Sequence, residues 1–147
     1  GTVLDSETAR HAILHNAQFI IAPNFSQEVA VMCNRYQIPY APGCTTLTEA
    51  LQALEAGAAF IKAFPISDFY GPRLVSVFKT PIPYMPILAS GGIDREKCWK
   101  DYVLRGVDCC GFGSLLTKGS REEIAANARS IRTLIDEARQ EMQTTAG

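Results

Sequence analysis

The chain has 147 residues, 47% of them hydrophobic and 20% charged, with a formal net charge of -1. This composition supports one domain, residues 1–147, with its own apolar core, and offers no electrostatic footprint for a nucleic-acid partner. No apolar run approaches the length of a membrane span, and no basic segment followed by an apolar stretch marks a signal peptide, so a soluble cytoplasmic protein is expected.

The elements alternate along the chain. Residues 2–4 read as the tail of a strand and 7–15 as its helix. Strand-like runs follow at 19–23, 39–43, 60–65, 86–90 and 108–113. Each is followed by a helical segment, at 26–36, 47–56, 72–79, 95–105 and 121–142. Such alternation implies parallel strands joined by helical crossovers. Thr46 with Glu49 and Ser120 with Glu123 fit capping boxes. Asp5, Asn24 and Asp94 are expected N-caps, and Gly57 and Gly106 stand where helices should stop. The pattern amounts to five complete βα units plus the end of a sixth strand and its helix. A closed (β/α)8 barrel takes eight and usually ~250 residues. The chain is therefore either an open doubly wound sheet or a barrel without its first units.

The five cysteines, Cys33, Cys44, Cys98, Cys109 and Cys110, include no C-x-x-C pair. Their odd number and spacing predict free thiols rather than a disulfide framework or a zinc site. His11 and His15 stand four apart on a helix but lack an acidic third ligand, and read as surface residues. Cys109 and Cys110 should pack on opposite faces of one strand, and Trp99 and Tyr102 against the sheet.

Lys62 lies in the run Ala58-Ala59-Phe60-Ile61-Lys62-Ala63-Phe64-Pro65, where nearly every neighbour is apolar. Buried lysine is rare without a partner or a task, because burial disfavours the ammonium form. A neutral amine can form a Schiff base with a carbonyl substrate. The alternative is a strand-end lysine whose stem packs while its head reaches water. Side chains alternate across a strand, so Phe60, Lys62 and Phe64 share one face and set the amine between two rings.

Two glycine clusters close the next two strands, Ser90-Gly91-Gly92-Ile93 and Gly111-Phe112-Gly113-Ser114. Glycine lets backbone approach a ligand, and amides at a helix start bind phosphate. In barrels a phosphate site often follows the seventh and eighth strands. Each cluster alone is also ordinary turn chemistry. Arg73, Arg95 and Lys118 lie near strand ends, where charged residues are generally just solvated.

Several segments together resemble the KHG/KDPG aldolases, the 2-keto-3-deoxy-6-phosphogluconate aldolase family. They are Gly1-Thr2-Val3-Leu4, Ala17-Gln18-Phe19-Ile20, Pro23-Asn24, Pro42-Gly43-Cys44, Thr48-Glu49, Glu55-Ala56-Gly57-Ala58, Lys62-Ala63-Phe64-Pro65, Gly91-Gly92 and Gly113-Ser114. The resemblance implies a TIM (β/α)8 barrel, here partial and lacking about the first two βα units, and a class I aldolase. Lys62 matches the family's Schiff-base lysine on the sixth strand. Ser90, Gly91, Gly92, Gly113 and Ser114 match its phosphate site, and Thr2, Pro42 and Phe64 match pocket positions. The implied reaction cleaves a 2-keto-3-deoxy-6-phospho sugar acid to pyruvate and glyceraldehyde 3-phosphate. The family also includes cleavage of 4-hydroxy-2-oxoglutarate to pyruvate and glyoxylate. No metal or cofactor is expected, since the iminium replaces Lewis-acid polarisation of the carbonyl. The resemblance further implies a homotrimer.

One departure stands out. With Lys62 on strand six, the family's proton-shuttling glutamate falls upstream of Gly1, so the chain reads as the carboxy-terminal two-thirds of an aldolase. Glu49 is not its substitute, because the capping box already accounts for it. Two rivals stay open: a phosphate-binding barrel isomerase or synthase without a Schiff base, and an inactive aldolase-like fragment that only binds phosphosugar.

Overall fold

The computed structural model describes residues 1–66, 69–93 and 99–145. The expected cap Asp94, the first part of the 95–105 helix, Arg95 and Cys98 lie outside the described residues. The elements in chain order are α1 (Ser6–Leu14), β1 (Ile20–Ile21), α2 (Gln27–Tyr36), β2 (Tyr40–Ala41), β3 (Gly43–Cys44) and α3 (Leu47–Glu55). They continue with β4 (Ile61–Ala63), α4 (Arg73–Lys79), β5 (Ile87–Ser90), α5 (Trp99–Leu104), β6 (Cys109–Gly111), α6 (Ser114–Thr117) and α7 (Arg121–Thr145).

All strand pairs are parallel: β1 with β2, then β3, β4, β5 and β6 in sequence order. β2 and β3 are two halves of one run, split at Pro42, which has no N–H to give a ladder. This run joins the two sheets. On one side it accepts from Ile20 and Ala22, through Pro39 O at 2.8 Å and Ala41 O at 3.1 Å. On the other it accepts from Lys62, through Pro42 O at 2.9 Å. Val3 extends the surface past β1, its N–H donating to Ile21 O at 3.3 Å.

The order along the sheet therefore runs without reversal. A doubly wound sheet reverses at a switch point, whereas a barrel wall does not. The architecture is a partial (β/α)8 barrel, and among the described residues no ladder joins β6 back to residues 2–4.

The outer face of the sheet carries the core. Ile61, Ala63, Ile87, Ala89 and Cys44 bury against Ala50 and Ala53 of α3, Val75 and Phe78 of α4, Tyr102 of α5 and Ala138 of α7. A second cluster sets Ile20, Ala22 and Tyr40 against Val29, Ala30 and Cys33 of α2. At about 25 cal/mol per Å² of apolar surface, these two clusters are the main favourable term holding the helices to the wall. The expected packing of Trp99 and Tyr102 holds, both being buried.

Helix ends follow local chemistry. The Asp5 carboxylate accepts from Thr8 N–H at 2.6 Å. In α3, Thr46 Oγ1 accepts from Glu49 N–H at 3.2 Å while the Glu49 carboxylate accepts from Thr46 N–H at 2.9 Å. Ser120 and Glu123 exchange the same pair of bonds at 2.7 and 3.2 Å. Gly57 and Gly106 take φ of +87° and +88°, the left-handed conformation that ends a helix.

Three expectations need correction. Asn24 does not cap α2; Ser26 does, its hydroxyl accepting from Val29 N–H at 3.3 Å, because the helix starts only at Gln27. The strand expected at 39–43 breaks at Pro42. The helix expected at 121–142 continues to Thr145. A further short helix, Ser114–Thr117, stands where the sequence assigned no element.

Candidate active site

The inner face of the sheet is built in rows. Register aligns Gly43, Lys62, Leu88 and Cys109 across four strands. The row above, toward the strand C-termini, aligns Ser90 with Gly111 and carries Phe64 just past β4. Cys110 packs toward the helices with the core, so the two cysteines do divide between faces. Burial pushes the Cys110 thiol up to about 11 and raises Cys109 as well.

Lys62 is the only buried charged residue among those described, at 9% exposure. Its Nζ lies 4.0 Å from the centroid of the Phe64 ring. Burial holds the lysine below its usual range, and no charged neighbour contributes to the shift. The neutral amine is thereby nearer to hand at neutral pH. The Phe64 ring face favours any cation over it by ~0.5–2 kcal/mol. Phe60 does not complete the expected sandwich. It lines an apolar hollow of about 450 Å³ on the strand N-terminal side, with Phe19, Pro39, Leu88 and Cys109. Lys62 is not part of that hollow.

The glycine loops meet at the other end. Gly91 and Gly92 have φ of +98° and +74°, open to glycine and rare for other residues. A Cβ at Gly91 would come within 2.8 Å of Phe64 Cδ2 and 3.1 Å of Pro65 Cα. A Cβ at Gly111 would reach Ser90 Oγ at 3.0 Å. Phe64, Gly91 and Lys62 thus form one cluster, with Ser90 next to Gly91 in the chain and beside Gly111 across the ladder. Gly113 precedes α6 with open space where a side chain would stand, and Ser114 is exposed beside it.

The remaining expected site residues lie differently. Pro42 is fully buried, and its contribution is the carbonyl that fixes Lys62 N–H. Thr2 is exposed, with two strands between its segment and β4. Burial alone would raise the Glu49 carboxyl, but hydrogen bonds from Thr45 and Thr46 outweigh it and hold the group below the usual carboxylate range. His11 and His15 are exposed, their ring centroids 4.3 Å apart.

Sequence reasoning gave Gly43 no role of its own and placed Gly111 only within a ligand-facing glycine cluster. A Cβ at Gly43 would fall 2.0 Å from Pro23 O, so the Pro23–Asn24 main chain crosses directly over the Lys62 row. The only sequence sign was a glycine within a strand.

The family model described as KDPG and KHG aldolase matches residues 1–131. A 2-dehydro-3-deoxy-6-phosphogalactonate aldolase of Escherichia coli is 35% identical over 82% of this chain and 58% of its own length. A 2-dehydro-3-deoxy-phosphogluconate aldolase of Treponema pallidum is 34% identical over 76% of this chain and 53% of its own length. The chain thus spans little more than half the length of these relatives. A solved native KDPGal structure superposes with a TM-score of 0.88 at 35% identity, covering 95% of this chain and 68% of that one. With its barrel wall, its buried lysine and a match over nearly its whole length, this chain belongs to the KDPG and KHG aldolase family.

Proposed function

We propose that Lys62 is the Schiff-base nucleophile of an aldolase that reversibly cleaves a 2-keto-3-deoxy-6-phospho sugar acid to pyruvate and glyceraldehyde 3-phosphate. One observation carries the reading: a lysine buried on the inner face of a barrel wall, its Nζ over an aromatic ring and its titration lowered by burial. The names of the aldolase relatives support the substrate class.

The neutral Lys62 amine adds to the C2 ketone, and loss of water leaves an iminium. The C4 hydroxyl gives its proton to a base, the C3–C4 bond breaks, and its electron pair flows into the iminium to form an enamine. The aldehyde leaves. The enamine takes a proton at C3, and water then returns pyruvate and the free amine. The proton transfers call for a general base, worth ~10²–10⁴ in rate. Among the described residues no carboxylate pairs with Lys62. In the family reading that role falls to a glutamate.

Ser90, Gly91, Gly92, Gly113 and Ser114 hold the phosphate in this reading, at the C-terminal ends of β5 and β6. The two positive-φ glycines and the open space beside Gly113 support it. The reading extends to a homotrimer, carried over from the resemblance, and to the cytoplasm, where free thiols persist; no described helix is long and apolar enough to cross a membrane.

Incubation with keto acids under cyanoborohydride tests this function. The phosphorylated sugar acid should modify the protein at lower concentration than pyruvate, which has no phosphate to anchor. A phosphate-binding isomerase or synthase would bind phosphosugar with no covalent adduct. Absence of an adduct with every keto acid would reject the aldolase reading.

A further inference from the structure

The glycine loop and the lysine are joined by a single ring. Phe64 lies under Lys62 Nζ, 4.0 Å from its centroid, and the edge of the same ring fills the space where a side chain at Gly91 would stand. A methyl group at position 91 would stand 2.8 Å from Cδ2 and 3.0 Å from Cε2 of that ring, and 3.1 Å from Pro65 Cα. Real Cβ atoms do not approach that closely, so either the ring or the loop must move. Pro65 backbone borders the same space, so a side chain at 91 crowds both the ring and the main chain that carries it. Carbonyls fix the strand beneath, Lys62 N–H to Pro42 O at 2.9 Å and Phe64 N–H to Cys44 O at 3.4 Å.

We propose that Gly91 is a positioning residue for the lysine: its missing side chain seats the Phe64 ring, and the ring sets where the Lys62 amine stands. This role is separate from any contact Gly91 makes with a phosphate. It rests on the Schiff-base reading of Lys62 for its catalytic meaning, though not for its geometry. The phosphate loop and the nucleophile are then mechanically linked through one aromatic plane. Displacement of a reacting group by about 1 Å can cost on the order of 10²-fold in rate.

Two readouts test it, neither involving phosphate. The first is the carbon-13 signal of the Lys62 ε-methylene, which the ring current of Phe64 shifts away from the other lysines. The second is the rate of borohydride trapping with pyruvate. Gly91→Ala should move the ε signal toward the other lysines and slow trapping by roughly tenfold or more. Gly91 has φ of +98°, so alanine there is strained for a reason unrelated to the ring. A double-mutant cycle with Phe64→Leu removes that ambiguity, since backbone strain is common to both backgrounds. With leucine at 64, Gly91→Ala should have a much smaller effect on trapping. Circular dichroism confirms that each variant is folded. An unchanged ε signal in folded Gly91→Ala, or equal losses in both backgrounds, overturns the inference. If the ε signal moves as expected but the unsubstituted chain traps no pyruvate, the positioning stands and the Schiff-base reading falls.

Discussion

The two ends of the inner face are built from different materials. At the strand C-termini, close approach of main chain and ring dominates: Gly43 under Pro23, Gly91 against Phe64 and Gly111 beside Ser90. At the N-termini, Phe19, Phe60, Leu88 and Cys109 surround a hollow of about 450 Å³. That hollow is apolar, and it holds no nucleophile that burial has activated. Its cysteine is pushed away from the thiolate form, whereas the lysine in the same row is pushed toward the neutral amine. Desolvation acts on both groups, and only for the lysine does it favour the reactive species. In barrels the C-terminal face carries chemistry and the opposite face stability. The contrast here follows that division.

The strongest way to break the comparison is at Gly43. A side chain there meets Pro23 main chain at 2.0 Å, so Gly43→Ala should cost well beyond the ~1–3 kcal/mol of ordinary overpacking. Urea unfolding should show a chain largely unfolded or strongly destabilised.

Lys62→Met comes next and should separate chemistry from stability. All trapping should vanish, while stability at neutral pH rises by about 1–3 kcal/mol as an uncompensated buried polar group is removed. The pH dependence has a definite sign. The folded titration of Lys62 lies below the unfolded one, so between them the unfolded state binds more protons and stability rises with pH. Thermal melts of the original chain should gain stability through that alkaline window relative to Lys62→Met.

Phe60→Ala probes the other end. Its ring is 37% exposed, so truncation should cost only about 1 kcal/mol, with the pyruvate trapping rate within about twofold of the original. A collapse of trapping would mean that the hollow, and not the Phe64 cluster, sets the amine.

The smallest effect is expected at Glu49, which serves a helix end and not the site. Glu49→Ala should cost about 1 kcal/mol, the worth of a cap. The carboxyl is held low, so its contribution is present above the ordinary carboxylate range and fades as pH falls through its lower folded value. The difference between the two proteins in urea should shrink in acid. Solvent screening at this half-buried position keeps the effect modest.

Much of this was legible in the chain itself. The βα alternation fixed parallel strands, the Thr46–Glu49 and Ser120–Glu123 spacings marked helix starts, and a lysine among apolar residues marked the inner face. Each of those signals is local or periodic. What escaped was set by contacts between distant segments. Strand alternation put Phe60 and Phe64 equally on the Lys62 face, but only the ring above the lysine reaches its amine, because the side chain extends toward the strand C-terminus. The Pro23 crossing over Gly43 joins residues twenty apart, which leaves no mark on hydrophobic period. Asp108 was unremarkable in sequence, yet its carboxylate accepts from Ile87 N–H at 2.7 Å and pairs with Lys79 at 3.1 Å, fastening β5, β6 and α4. The choice between an open sheet and a barrel wall was likewise undecidable from element order, and fell to the sequential, unreversed strand pairing.

The most direct test is borohydride reduction in the presence of pyruvate, followed by peptide mass spectrometry. The account predicts one reduced pyruvate on the peptide containing Lys62, and none in Lys62→Ala. No adduct at saturating pyruvate, or an adduct on Lys79, Lys100 or Lys118 that survives Lys62→Ala, would contradict it.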